Sequence, residues 1–401
     1  MPDGEPVPRD GSLPEHVRTG VGRVPFGLYI HVPFCATRCG YCDFNTYTAL
    51  ELPGISASSY VDVALSEIRL ARHVLGDRTP QVDTVFVGGG TPSLLPAEHL
   101  SALLGEVREL FGLAPDAEVS TEANPESVTP AYLSRLREAG FTRVSLGMQS
   151  AAEHVLAVLD RQHTPGRAVD AVEDARKAGF NHVNLDLIYG APGETEHDWQ
   201  DSLDAAIGAG PDHVSAYALV VEEGTRMGRQ VARGELPAPD DDILADRYAQ
   251  AEQTLSAGGF AWYEVSNWAR QPSARARHNL LYWTSGDWWG IGPGAHSHVG
   301  GVRWWNVKHP AAYAARLAAG ETPAQAREVL DPQQRRTERV LLRIRLADGL
   351  ALQEIPAARR AEADRMLTYG LFDRAAYDEG RAVLTLRGRL LADAVVRDLV
   401  E

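Results

Sequence analysis

Three cysteines, Cys35, Cys39 and Cys42, stand in the run HVPFCATRCGYCDF, and the 401-residue chain has no others. An odd, crowded set of thiols makes a poor disulfide framework. A CxxC pair alone suits a redox dithiol or half of a zinc knuckle. A tetrahedral zinc site would need a fourth ligand, for which His31 is near in sequence. The remaining chemistry is an iron–sulfur cube. Such clusters are held by cysteine thiolates, and four would close a 4Fe–4S cluster. Three would leave one iron with a position open to a small chelating ligand.

Other residues of chemical interest follow in order along the chain. VGGGTPSLL at 87–95 places Gly89, Gly90 and Thr91 after an apolar run. Glycines there let a ligand approach the backbone without meeting a Cβ, although a bare glycine triplet is more often a tight turn. Glu122, Gln149 and Asp186 end runs that otherwise read as buried, where capping a loop is the plain alternative to binding a ligand. Arg161, in VLDRQHT, offers a fork that matches a carboxylate, or is a surface arginine on a helix. Tyr29 and His31 are end-of-strand residues beside the cysteine loop. LIYGAPGET at 187–195 has glycines where the chain could pass close to a flat ligand. Further on, HNLLYW contributes His278, Asn279, Tyr282 and Trp283, with Trp288, Trp289, Trp304 and Trp305 nearby and His296 and His298 in GAHSH. Taken alone this is an ordinary aromatic packing region.

The elements that must position these groups repeat. GLYIHV, VDTVFVG, AEVSTEA, RVSLGMQ, HVNLDLI and HVSAYALV read as six strands, separated by Ala/Leu/Glu/Arg-rich helical stretches. Strand and helix alternating at this spacing make βαβ units with right-handed crossovers. The fold class is therefore α/β, either a partial (β/α)6 barrel or an open doubly wound sheet. The barrel is favoured because the polar residues fall at strand C-termini, where parallel barrels collect their chemistry. Residues 1–24 read as a mobile tail, 25–240 as the partial barrel, and 241–309 as an extension holding HNLLYW and GIGPGAHS. Residues 310–401 read as a small, mostly helical domain of winged-helix-like character. With 44% hydrophobic residues the chain can build more than one core. A net charge of −15 argues against non-specific binding to nucleic acid. No apolar run is long enough to span a bilayer, the N-terminus has no signal-peptide core, and unpaired cysteines point to a reducing cytoplasm.

Together, CxxxCxxC after the first strand, FVGGGTPS, LGMQS, DRQHT, NLDLIYGAPGET, HNLLYW and GIGPGAHS resemble the radical S-adenosylmethionine (SAM) superfamily. Within it they resemble the HemN/HemW family of oxygen-independent coproporphyrinogen oxidases and their haem-chaperone relatives, from about residue 24 onward. The resemblance implies a 4Fe–4S cluster on Cys35, Cys39 and Cys42. It implies SAM contacts from Tyr29, Gly89, Gly90, Thr91, Glu122, Gln149, Arg161, Asp186 and Ala218. HNLLYW matches the HNxxYW motif of the chaperone branch, which implies haem binding by His278, Asn279, Tyr282 and Trp283, with His296 and His298 as competing axial ligands. The oxidases carry a further cysteine in CxxxCxxCxC, whereas Phe44 stands at that position here. The favoured expectation is a haem chaperone that passes haem to acceptor haemoproteins such as membrane respiratory enzymes. The rival is a coproporphyrinogen III oxidase that decarboxylates two propionates by radical chemistry. A radical SAM enzyme on another substrate is a third class. Homodimerisation is left open.

Overall fold

The computed structural model describes residues 4–52, 55–161 and 164–400. Six strands form the expected repeat: β1 (Phe26–Val32), β2 (Val82–Gly89), β3 (Leu113–Ala123), β4 (Arg143–Gln149), β5 (His182–Tyr189) and β6 (His213–Ala218). They lie side by side in sequence order and all pair in parallel. Most of their buried Val, Ile and Leu side chains share one face, where the helices pack, while the alternate positions, such as Tyr29, Glu122, Ser145 and Asp186, turn to the other face. The crossover helices start where the sequence supplies caps. Ser56 and Ser59 make a reciprocal capping box for Ala57–Leu75, and Thr195 and Asp198 make another for Glu196–Ala209. One face of each helix packs into a common core with the strands, through residues such as Ile68, Leu104 and Trp199.

The sheet does not close. Beyond β6 come β8 (Asn267–Ala269) and β7 (Ala261–Glu264), both antiparallel. On the other side β9 (Asp287–Ile291) runs parallel to β1, followed by β10 (His296–Val299), β11 (Val302–Asn306) and β12 (Ala324–Val329) in antiparallel order. The result is a twelve-stranded open α/β sheet with the six-stranded parallel repeat at its centre. Because β9 pairs with β1, residues near 290 are brought beside the cysteine loop.

Two expected boundaries move. The sheet runs on through β12 to Val329, past the compositional change at 310, because the helix Pro310–Ala318 and β12 complete the β10–β11 meander. The tail is also packed rather than mobile from residue 4 onward, residues 1–3 lying outside the described set. Glu5 exchanges backbone hydrogen bonds with Arg327 at 2.7 and 3.0 Å, the Thr322 N–H donates to Arg9 O at 2.7 Å, and Leu13 and Val17 are buried. The physical reason is the bare edge of β12, whose unpaired backbone groups the tail satisfies.

After Val329 a separate unit begins. The helices Pro332–Arg343, Arg360–Thr368 and Ala392–Val400, with a two-stranded ribbon of Leu350–Ala351 and Arg381–Ala382, enclose their own core around Ile344, Leu350, Phe372 and Leu399. This is the small helical domain with a short ribbon that the sequence suggested.

Candidate functional site

The cysteine loop leaves β1 and is tied down at its base. The Cys35 N–H donates to Tyr47 O at 3.0 Å and the Tyr47 N–H to Pro33 O at 2.8 Å. The glycine loop after β2 is laced to the same segment, with the Gly90 N–H on Val32 O at 2.8 Å and the Thr91 N–H on Phe34 O at 2.7 Å. Gly89 adopts φ +112°, and a Cβ there would lie 2.5 Å from His31 Nδ1, so only glycine fits. All three cysteines are free and half-buried. Burial pushes the Cys35 and Cys42 thiols up, and each feels the charge of Cys39. Among the described residues no three His, Cys, Asp or Glu side chains converge as a mononuclear metal site requires. A cubane makes no such demand, because each thiolate binds a different iron.

Beside the loop stands Arg161. Its guanidinium reaches Tyr41 Oη at 3.4 Å, and its Nε is buried with no hydrogen-bond partner among the described residues. Burial works against its charge, but Tyr41, Cys39 and Cys35 more than offset that. A buried donor without a partner is costly and invites an anionic ligand. Its neighbours Gln162 and His163, within DRQHT, lie outside the described residues.

Two half-buried carboxylates face this cation. Glu122 Oε2 accepts the Gly89 N–H at 2.9 Å, and burial, reinforced by Asp186, pushes its pKa up to about 7. Asp186 accepts from Ser145 Oγ at 2.6 Å and Asn184 Nδ2 at 2.8 Å, yet burial still raises its pKa. Gln149 is buried at φ +66°, an αL conformation that a side chain adopts at some cost. Ala218 ends β6 and is half-buried.

Of these residues Gly89 and Glu122 line a cavity of about 550 Å³, within the range of small-molecule and cofactor pockets, whereas the cysteines, Arg161, Gln149, Asp186 and Ala218 are not part of its lining. It is lined by Tyr29, His31, Gly89 and Glu122 from the strand ends, by Phe44 and Asn45 from the cysteine loop, and by Tyr282, Trp288, His296, His298 and Arg303 from the extension. Of the HNLLYW residues only Tyr282 reaches it. His278 is 1% exposed, with Nδ1 2.8 Å from Thr84 Oγ1 and Nε2 2.7 Å from Tyr282 Oη, so both ring nitrogens are engaged. Asn279 and Trp283 turn instead to the buried carboxylate of Glu264. The motif braces the floor of the site, and with both ring nitrogens engaged His278 presents none to the cavity. Arg303, Glu338 and Leu342 also line the cavity, and no local pattern of residues signals them.

The radical SAM superfamily model matches residues 29–206, the stretch that holds the cysteine loop and the polar ends of β1 to β5. The heme chaperone HemW of Mycobacterium tuberculosis is 58% identical over 376 residues, covering 94% of this chain and 95% of that protein. The chain belongs to the HemW branch of the radical SAM superfamily. HemW of Escherichia coli, also named a heme chaperone, is 40% identical over 276 residues, covering 69% of this chain and 70% of that one. The solved structure of E. coli coproporphyrinogen III oxidase (HemN) superposes with a TM-score of 0.82 at 24% identity, covering 99% of this chain and 96% of that one. That likeness establishes a shared radical SAM fold across nearly the whole of this HemW-family chain. No helix among the described residues is long and apolar enough to cross a membrane.

Proposed function

We propose that this HemW-family chain is a cytoplasmic haem chaperone. It carries haem against the aromatic and histidine side chains of the cavity and a 4Fe–4S cluster with SAM at the strand ends, and it delivers haem to acceptor haemoproteins. The observation that carries this reading is the cavity itself. Tyr282, Trp288, His296 and His298 bring aromatic and imidazole groups to the same lining as Gly89, Glu122 and Tyr29. The high identity to a protein named a heme chaperone supports the same reading. So does Phe44, which lines the cavity with an apolar side chain where the oxidases carry their additional cysteine.

Cys35, Cys39 and Cys42 are the thiolates available to a cluster. Arg161 Nε, without a partner among the described residues, is the donor for a SAM carboxylate, Glu122 the acceptor for its ammonium, and Asp186, steadied by Ser145 and Asn184, an acceptor for ribose hydroxyls. Gly89 and Gly90 keep the backbone open to the bound amino acid, while Thr91, Tyr29, Gln149 and Ala218 shape the surrounding walls. Bound together, cluster and SAM supply reductive cleavage of a sulfonium. An ammonium next to Glu122 favours its ionised form, so binding discharges a proton from a carboxyl that is otherwise partly protonated near neutrality.

Anaerobic reconstitution with iron and sulfide, followed by haem titration and transfer to an apo-haemoprotein, tests the proposal. We expect about four irons per chain, stable haem uptake and transfer. Stoichiometric conversion of coproporphyrinogen to protoporphyrinogen, or failure to retain haem, would overturn it.

A further inference from the structure

The histidines around the cavity differ in which ring nitrogen is free. Both nitrogens of His31 are engaged, by Tyr29 Oη and Asn45 O at 2.9 Å each, and both nitrogens of His278 are engaged as described above. His298 is different. Its Nδ1 lies 3.1 Å from Gly286 O and 3.5 Å from Asp287 Oδ1. A carbonyl oxygen can only accept, so the proton sits on Nδ1 and Nε2 keeps its lone pair. Nε2 has no hydrogen-bond partner among the described residues, and the ring lines the cavity. A histidine whose far nitrogen donates to a carbonyl or carboxylate is the arrangement that fixes the tautomer and direction of a metal ligand. The carboxylate is itself held, since Asp287 Oδ1 accepts the Gly300 N–H at 2.8 Å. Beside the imidazole, the Trp288 ring lies 5.1 Å away at 31°, and Tyr282 packs edge-on against Trp288 at 4.6 Å. These rings give an apolar, aromatic surface next to the open nitrogen, which suits a porphyrin face. His296 is two residues earlier on the same strand and so on the same face, but it is exposed and neither nitrogen is oriented by a neighbour among the described residues.

We propose that His298 Nε2 is the axial ligand to the iron of haem held in this cavity, with the Gly286 carbonyl and Asp287 as positioning groups. The inference rests on the haem-chaperone reading. Ligation forms one nitrogen–iron bond and displaces a water, with no change of oxidation state. With the proton held on Nδ1 by the Gly286 carbonyl, the Nε2 lone pair is the one left for a metal.

The test is spectroscopic and uses the full chain loaded with haem. In His298→Ala we expect the imidazole-ligated absorption and electron paramagnetic resonance signals to disappear and added imidazole to restore them, while His296→Ala keeps the wild-type signals. In Asp287→Asn the ferrous iron–histidine stretch shifts to lower frequency, because a weaker acceptor at Nδ1 makes the imidazole a weaker donor. That shift is not produced by a merely structural role, and it supplies the test if His298→Ala folds poorly. Retention of wild-type signals in His298→Ala, their loss in His296→Ala, or an unmoved stretch in Asp287→Asn overturns the assignment. Wild-type protein that takes up no haem fails earlier, and sinks the chaperone reading along with it.

Discussion

Replacing His278 should weaken the fold more than it weakens haem ligation. The imidazole joins β2 to the helix Arg277–Trp283 through Thr84 and Tyr282, and it stacks on Phe86 with ring centroids 5.2 Å apart. Thr84 is 2% exposed, so it finds no water when its partner goes. In His278→Ala, two hydroxyls lose their partners at about 1–3 kcal/mol each when left unsatisfied. The missing ring adds a cavity term of roughly 2 kcal/mol or more. A loss of about 4 kcal/mol is a large part of the roughly 5–15 kcal/mol that holds a domain folded. His278→Phe keeps the volume and the stacking, so it should cost about 2–3 kcal/mol, the share of the hydrogen bonds. The pH dependence separates the terms further. Burial holds the folded-state pKa of His278 down at about 4, against the usual 6.5. Between those values the unfolded chain is protonated and the folded one is not, so this contribution is present above pH 6.5 and is lost as pH falls. The gap between wild type and His278→Phe should narrow by about 1.4 kcal/mol per pH unit below that point. Urea unfolding of wild type, His278→Ala and His278→Phe, followed by tryptophan fluorescence near neutrality and at about pH 5, measures all of this. A His278→Ala protein as stable as wild type, with its haem signals altered, would refute the reasoning and return His278 to the metal.

Four further outcomes are expected. Because an ammonium drives Glu122 to ionise, SAM affinity should rise as pH increases through about 7, and Glu122→Gln should both weaken binding and flatten that rise; calorimetry in buffers of different ionisation heat reads the proton. Glu67, buried against Gly292, Asn306 and Tyr313, has a pKa raised by burial to about 7. The folded state therefore holds its proton longer than the unfolded chain, and stability should fall as pH rises from about 4.5 to 7 by up to about 1.4 kcal/mol per unit, a slope that Glu67→Gln removes in denaturant titrations. Cys42→Ser should lose reconstituted iron and sulfide while keeping the haem absorbance, because none of the three cysteines is among the residues that line the cavity. Deleting residues 1–12 should cost about 2–3 kcal/mol for the lost hydrogen bonds to Thr322 and Arg327 and should raise light scattering on heating, since it bares the edge of β12.

What was legible in the sequence was whatever lies close along the chain. The cysteine loop, the glycines after β2 and the polar residues of β3, β4 and β5 announce themselves because a βα repeat puts every strand end on one rim, so each position follows from its own strand. Part of the cavity lining was not legible. Arg303, Glu338 and Leu342 come from a meander strand and a helix of the second unit, and nothing in their local pattern says that they meet Tyr29. HNLLYW pointed to the right branch of the family but not to where its histidine faces. A motif gives spacing, and spacing cannot tell a nitrogen facing a cavity from one facing a threonine. The tail failed by composition, because proline, glycine and charge read as disorder whereas an unsatisfied sheet edge supplies partners.

The cavity belongs to two bodies with separate cores. Glu338 and Leu342 close it from the C-terminal unit, and Glu338 meets Arg303 of the sheet at 2.6 Å in a pair that is partly open to solvent. Ion pairs of that kind contribute about 1 kcal/mol or less. Other ties cross the same seam, Arg389 to Glu252 at 2.8 Å and the Ala347 N–H to Tyr263 O at 2.9 Å among them, so widening the mouth for a guest as broad and rigid as a porphyrin would mean parting a set of contacts between the bodies rather than loosening a single pair.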